Sequence, residues 1–265
     1  MNSPIPIFVI SLSRATERRA DICHRLQADN LKYEIVNAVD GRELNRDDYA
    51  DRLEQYHSKE GSSFRCANRK NRHNAPLNNG EIGCYLSHYN LWRRIVDEKI
   101  PAAVILEDDA MWNADFAVVQ NAAACEWEWD LIQLCSDSKN RTYRILQSLG
   151  GDFNLVQYAN KCGGAVAYLI SLSAAKKLVN HGYLMHHAVD MVWQDYWNWN
   201  GRMYAVRPYP VFHKDGPSAI ADGNVYPGQS KTKIDFWAKL RYFLIKHYHS
   251  ATGRFYFFWT RPKRK

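Results

Sequence analysis

The stretch Ala102-Ala103-Val104-Ile105-Leu106-Glu107-Asp108-Asp109-Ala110 decides how this chain folds. Five apolar residues, two of them β-branched, run directly into three carboxylates. An apolar run this short suits a strand buried on both faces of a parallel sheet. In open α/β sheets, ligands bind beyond the carboxyl ends of the strands. The acids therefore stand where a substrate would lie. Three free carboxylates side by side repel one another, and a divalent cation relieves that repulsion. Mg²⁺ and Mn²⁺ take oxygen ligands of this kind alongside phosphate groups. The same residues would also suit an acidic helix N-terminus, where the macrodipole favours Asp and Glu. Taken alone, the stretch leaves both readings open.

Outward from it, the elements alternate as an α/β chain requires. Residues 5–12 read as a buried first strand, with Pro6 tolerable only near its start. Ser13-Arg14-Ala15-Thr16-Glu17-Arg18-Arg19 then leads into a helix, with Ser13 or Thr16 as its cap. A strand, a turn of hydroxyls and arginines, and a helix N-terminus make an anion pocket, against the plain alternative of a solvated helix face. No glycine-rich dinucleotide or P-loop fingerprint is present. Residues 33–39 read as a second strand and 47–56 as a helix. The polar segment 61–79 has the length and composition of a lid or binding loop. Asn78 or Asn79 caps a strong amphipathic helix over about 80–98, which Pro101 separates from the acidic strand. His88, mid-helix, reads as a packed or surface residue before a ligand.

Beyond the acids, 115–124 reads as a helix, 129–135 as a strand and 136–152 as polar turns. Gly163 and Gly164 permit close backbone approach before a strand ending at Ser171, and Ser173 caps a helix over 174–180. His186 and His187 point to different faces of any regular element, so they do not share a metal. Asp190 falls near the start of an aromatic helix, whose N-terminus favours an ionised carboxylate; the plain alternative is a cap. Residues 203–212 read as a late strand with His213 at its end, a further candidate metal ligand by the strand-end rule.

Composition narrows the function classes. At 265 residues and 46% hydrophobic, the chain supports a substantial core. It has no run long enough to cross a membrane as a helix, and its first residues do not read as a secretory leader. The six cysteines are scattered without CxxC spacing, so free thiols are expected and neither a zinc nor a redox motif is. Residues 231–265 carry ten Lys/Arg and one acid, +9, leaving 25 basic and 27 acidic residues, −2, for the rest. The positive charge thus belongs to a tail, also rich in Phe, Tyr and Trp. Such a tail suits an anionic membrane surface and argues against nucleic-acid binding by the body. The plain alternative is an aromatic subdomain packed on the body. The division expected is a catalytic domain over 1–230 and a basic aromatic tail over 231–265.

Four stretches together resemble glycosyltransferase family 25, bacterial enzymes that build the sugar chains of lipooligosaccharide and lipopolysaccharide. They are Phe8-Val9-Ile10-Ser11-Leu12 with Arg14, Glu17 and Arg18; residues 77–92 with Gly80-Glu81-Ile82-Gly83-Cys84 and Leu86-Ser87-His88; Ile105-Leu106-Glu107-Asp108-Asp109; and 164–178 continuing to Val189-Asp190. The resemblance implies a GT-A-like, Rossmann-related α/β fold with a mixed, mainly parallel central sheet. It implies inverting transfer of galactose from UDP-galactose to a lipid-linked oligosaccharide, with a β-linkage (β-1,4 the leading choice) or, alternatively, of glucose from UDP-glucose. Mn²⁺ or Mg²⁺ would be held by Glu107 and Asp109, with His213 as an extra ligand. Ser11, Leu12, Arg14, Arg18 and Asp108 would line the nucleotide pocket, and Gly163 and Gly164 would let donor or acceptor lie against the backbone. Asp190 would be the general base, with Asp195 in reserve, and the segment 61–79 would close over the donor. The resulting expectation is a cytoplasmic enzyme, peripheral on the inner face of the bacterial inner membrane. A metal-dependent phosphoesterase and a non-enzymatic membrane-surface module are the competing classes.

Overall fold

Period-2 alternation explains why the apolar run becomes a central strand. The computed structural model describes residues 5–53, 77–112, 116–136, 142–159, 163–185, 188–194, 196–214, 248, 251–258 and 262–265. In chain order the elements are β1 (Ile7–Ser11), α1 (Thr16–Ala28), β2 (Tyr33–Asn37), α2 (Asn79–Asp97), β3 (Ala102–Glu107), β4 (Ala110–Trp112), α3 (Ala117–Ala123), β5 (Leu131–Gln133), β6 (Tyr143–Gly150), β7 (Phe153–Tyr158), β8 (Ala167–Ser171), α4 (Leu172–His181), α5 (Val189–Val192), β9 (Met203–Arg207) and β10 (Val211–His213). On β3, Ala103 and Ile105 join one core layer while Val104 and Leu106 join the other. Successive side chains leave a strand on opposite faces, so a strand with helices on both sides needs apolar residues at every position. The first layer packs α2, α4 and α5 on the sheet; the second packs α1 and α3.

Eight strands form the main sheet in the order β2-β1-β3-β8-β5-β9-β7-β6, and β10 pairs with β4 in a separate ribbon. This is the GT-A-like α/β class, with one adjustment. The pairs β1·β2, β1·β3 and β5·β9 are parallel, but β3·β8, β5·β8, β7·β9 and β6·β7 are antiparallel. The sheet is therefore mixed without being mainly parallel. The cause is β8: it enters at the carboxyl end of β3 and must run against both β3 and β5. As a result the ends of β1, β3 and β5 and the start of β8 meet at one edge.

Other expectations shift for local reasons. The segment 136–152, expected as polar turns, holds β6, the outer strand of the hairpin β6–β7, which lies at the sheet edge, carries two register irregularities and buries little of its surface; an edge strand of this kind shows weak alternation. The helix expected over 47–56 is only a 3₁₀ turn, Arg46–Tyr49. Ser171, not Ser173, caps α4 by accepting from the Ala174 N–H. Neither Ser13 nor Thr16 caps α1, whose N-cap is Ala15 without a side-chain bond. The strand expected over 203–212 divides into β9 and β10. Most of the segment 61–79, the histidines 186 and 187, Asp195 and most of the tail lie outside the described residues.

Helix α2 is anchored at the end that matters. The Asn78 carboxamide accepts from the Glu81 N–H at 2.7 Å, and the Glu81 carboxylate accepts from the Asn78 N–H at 2.9 Å, a reciprocal capping box. A Cβ on Gly83 would lie 2.6 Å from the Val39 carbonyl oxygen, so only glycine lets the 38–42 loop lie against this turn. Ser87 Oγ fixes the same contact, accepting from the Val39 N–H at 2.9 Å and donating to the Gly83 carbonyl. Described parts of the tail also rest on the body: Tyr256 meets Tyr196 at 5.3 Å between ring centroids, Phe257 is buried under Arg144, and Lys263 and Lys265 pair with Glu128 and Glu126 backbone.

Replacing Asn78 by Ala removes the side-chain half of the box and leaves the backbone N–H of residue 78 to donate to Glu81. We expect a loss of about 1–2 kcal/mol in urea unfolding. A change near zero would show that the box does not anchor α2.

Candidate active site

Register creates the site. β1 runs parallel to β3 with Ile10 opposite Glu107, so the next residue of each strand, Ser11 and Asp108, are neighbours. Ser11 Oγ donates to Asp108 Oδ2 at 2.7 Å in a buried bond. Arg18, one turn into α1, places Nη2 3.1 Å from Asp108 Oδ1. Arg19 supports the same corner by donating to the Ser11 carbonyl at 2.9 Å and to Asn37. Both Asp108 oxygens are thus engaged by the protein. Burial pushes its carboxyl above the ordinary carboxylate range, against the opposing pull of Ser11 and Arg18.

Its two neighbours are held differently. Glu107 Oε1 lies 3.1 Å from His88 Nε2. His88 Nδ1 in turn lies 2.9 Å from the Tyr168 hydroxyl, which accepts from Trp92 Nε1–H at 2.9 Å. Trp92 supplies one proton to the Tyr168 oxygen, so the phenol proton is free for Nδ1. Nε2 then carries the imidazole proton and donates it to Glu107. Asp109 has no such support: its Oδ1 is buried without a hydrogen-bond partner. Burial first, and then the charge of Glu107, push its carboxyl up to about 6. A buried, unpartnered acceptor beside a second carboxylate is the arrangement that an oxygen-seeking divalent cation would satisfy. Glu107 and Asp109 therefore fit Mn²⁺ or Mg²⁺, while Asp108 is a latch.

These groups line an open cleft with Ser11, Leu12, Arg14, Arg18, Cys84 and His88 among its walls. Arg14 pairs with Asp40, which also lines the cleft. Burial raises the Asp40 carboxyl, but Arg14 and the Arg42 N–H outweigh it and hold the group below its ordinary range. Guanidinium groups and a cation-ready pair of carboxylates in one cleft suit a phosphate-bearing ligand.

A second cluster of polar contacts forms where β8 begins. Gly164 adopts φ +107°, a conformation that favours glycine, and its N–H donates to Asp190 Oδ2 at 3.2 Å. Gln133, at the end of β5, donates to the Gly163 carbonyl at 3.0 Å and lies 3.3 Å from that of Gly164. Asp190 sits in the first turn of α5, whose N-cap is Ala188; it is not a cap. The Cys84 thiol feels both clusters: burial, then the charges of Glu107, Asp190, Asp109 and Glu81, raise it well above the ordinary thiol range. His213 lies on the exposed ribbon opposite Ala110, and the Lys214 N–H donates to the Asp109 carbonyl at 2.9 Å.

Of the residues singled out in the sequence, Ser11, Leu12, Arg14, Arg18, Glu107, Asp108 and Asp109 share the cleft, whereas Gly163, Gly164, Asp190 and His213 are not among its lining residues. Sequence reasoning missed the roles of His88, Cys84, Asp40, Gln133 and Tyr168. The Cys84/His88 spacing of one helical turn was the available signal; Tyr168 and Gln133 have none outside the tertiary structure.

A family model described as Glycosyltransferase family 25 (LPS biosynthesis protein) matches residues 4–193. The chain belongs to this family. It is 30% identical over 178 residues to procollagen galactosyltransferase 1 of Danio rerio, covering 65% of this chain and 28% of the relative. Procollagen galactosyltransferase 2 of Homo sapiens is 29% identical over 178 residues, 65% of this chain and 27% of the relative. The inactive glycosyltransferase 25 family member 3 of Mus musculus is 29% identical over 183 residues, 65% of this chain and 28% of the relative. The match thus spans under a third of the length of these curated relatives.

A cation bound at Asp109 must displace a proton below pH 6. Apparent Mn²⁺ affinity, measured by calorimetry, is therefore expected to rise about tenfold from pH 5 to pH 7. A flat profile would contradict the assignment of Asp109.

Proposed function

We propose that this family 25 chain is a metal-dependent inverting galactosyltransferase that moves galactose from UDP-galactose to a terminal sugar of a lipid-linked oligosaccharide. The observation that carries the reading is the buried, unpartnered Asp109 oxygen beside Glu107, in a cleft that Arg14 and Arg18 also line. The names of the relatives support galactose as the transferred sugar, and the family description supports a lipopolysaccharide acceptor over collagen.

Glu107 and Asp109 would hold Mn²⁺ or Mg²⁺, with His213 as a further ligand, and the bound ion would supply Lewis-acid neutralisation of the departing diphosphate. Arg18, fixed by Asp108, and Arg14, fixed by Asp40, add positive charge along the nucleotide. Asp190 takes the proton from the acceptor hydroxyl as that oxygen bonds to the anomeric carbon and the bond to UDP breaks, one displacement with one inversion. Its bond to the Gly164 N–H orients the carboxylate. The aromatic face of the tail supports peripheral attachment at an anionic membrane, inside the cytoplasm: Tyr248, Phe255 and Phe258 are exposed beside Arg254. Among the described residues no helix is long and apolar enough to span a bilayer.

The test is UDP release from a panel of UDP-hexoses with Mn²⁺ and a terminal-glucose or terminal-N-acetylglucosamine acceptor. UDP-galactose should turn over, Asp109→Ala should lower kcat by about 10²–10³, and Asp190→Asn by about 10²–10⁴. Silence with every donor would overturn the reading. A non-catalytic member is the second reading, favoured by the likeness to a relative named inactive; UDP binding without turnover would establish it.

A further inference from the structure

We propose that Cys84, His88 and Glu107 form a second cation site, selective for soft divalent ions such as Zn²⁺, that shares Glu107 with the hard-cation pair and competes with it. Cys84 and His88 lie four residues apart on α2 and so share one face of the helix. Glu107 reaches them from the end of β3. One ligand atom from each lies within 4.8 Å of those of the other two, close enough for a single ion to draw them together. The donor set is sulfur, nitrogen and oxygen. That set suits Zn²⁺ and disfavours Mg²⁺, which takes oxygen almost alone. All three residues line the cleft, so a fourth coordination position would face bound ligand or water.

The surroundings are those of a metal-binding histidine. Such a residue uses one ring nitrogen for the ion and anchors the other on a hydrogen-bonding partner. Here Nε2 faces Glu107 and Nδ1 faces Tyr168, which is itself fixed by Trp92 and fully buried. When the ion takes Nε2, the imidazole switches tautomer: its proton moves from Nε2 to Nδ1, Nδ1–H donates a hydrogen bond to the Tyr168 oxygen, and the phenol keeps its own proton, turned away from Nδ1. The thiol proton passes to solvent and the thiolate binds the ion. The absence of CxxC spacing hid the site from a search for paired cysteines, because its ligands come from one helical turn and a distant strand. Occupancy would draw Glu107 away from Asp109. Zn²⁺ would therefore inhibit any reaction that depends on the hard-cation pair.

The test uses Co²⁺ as the probe and does not require transfer activity, so its outcome is separable from that of the transferase reading. Titration of the full chain should give a thiolate-to-cobalt charge-transfer absorption that saturates at one equivalent and is displaced by Zn²⁺. Cys84→Ser should abolish the band. Tyr168→Phe should keep the band and weaken Co²⁺ binding about tenfold, through loss of the Nδ1 anchor. No thiolate band in the unsubstituted chain, or an undiminished band in Cys84→Ser, would overturn the proposal.

Discussion

Three adjacent carboxylates at the end of one strand are the constraint on which the rest of this structure depends. They cannot be left alike, because each would raise the cost of ionising the next. The fold separates them by partner. Glu107 is held by a histidine, Asp108 by a serine and an arginine, and Asp109 keeps a buried oxygen with no protein partner. Of the three, the one with an unmet acceptor lines the cleft beside a second carboxylate, an arrangement that a cation would satisfy.

That separation is a product of register and topology more than of the acids themselves. Parallel pairing of β1 with β3 delivers Ser11 to Asp108; a one-residue slip would turn Ser11 to the other face of the sheet. The reversed direction of β8 delivers Gly164 and, through it, Asp190 to the same edge. Helix α2 also lines the cleft, and its capping box and Gly83 set how closely it lies against the 38–42 loop. The reacting groups therefore sit on rigid elements that the core holds from both faces.

Much of this was legible in the residues. The run 102–106 announced a doubly buried strand, and the acids at its end announced the site, since strand-end placement follows from the α/β pattern alone. Arg14 and Arg18 were readable for the same reason. The direction of β8 was not, because an apolar strand reads the same whichever way it is paired. The hairpin β6–β7 was obscured by edge exposure. His88 read as a packed or surface residue; it is packed, being 1% exposed, and the residue pattern could not reveal that its ring bridges Tyr168 and Glu107. In the tail, basic and aromatic composition was readable, yet Tyr256 and Phe257 pack on the body while Phe255 and Phe258 face outward. Composition cannot assign aromatics to one face or the other.

The account's central claim is the division of labour among the three acids, and Mn²⁺ binding measured by electron paramagnetic resonance tests it most directly. Asp109→Asn should lose Mn²⁺ binding while keeping the fold. Asp108→Asn should retain Mn²⁺ binding and lose stability through its weakened bonds to Ser11 and Arg18. The reverse pattern, with binding lost in Asp108→Asn and kept in Asp109→Asn, would contradict the account.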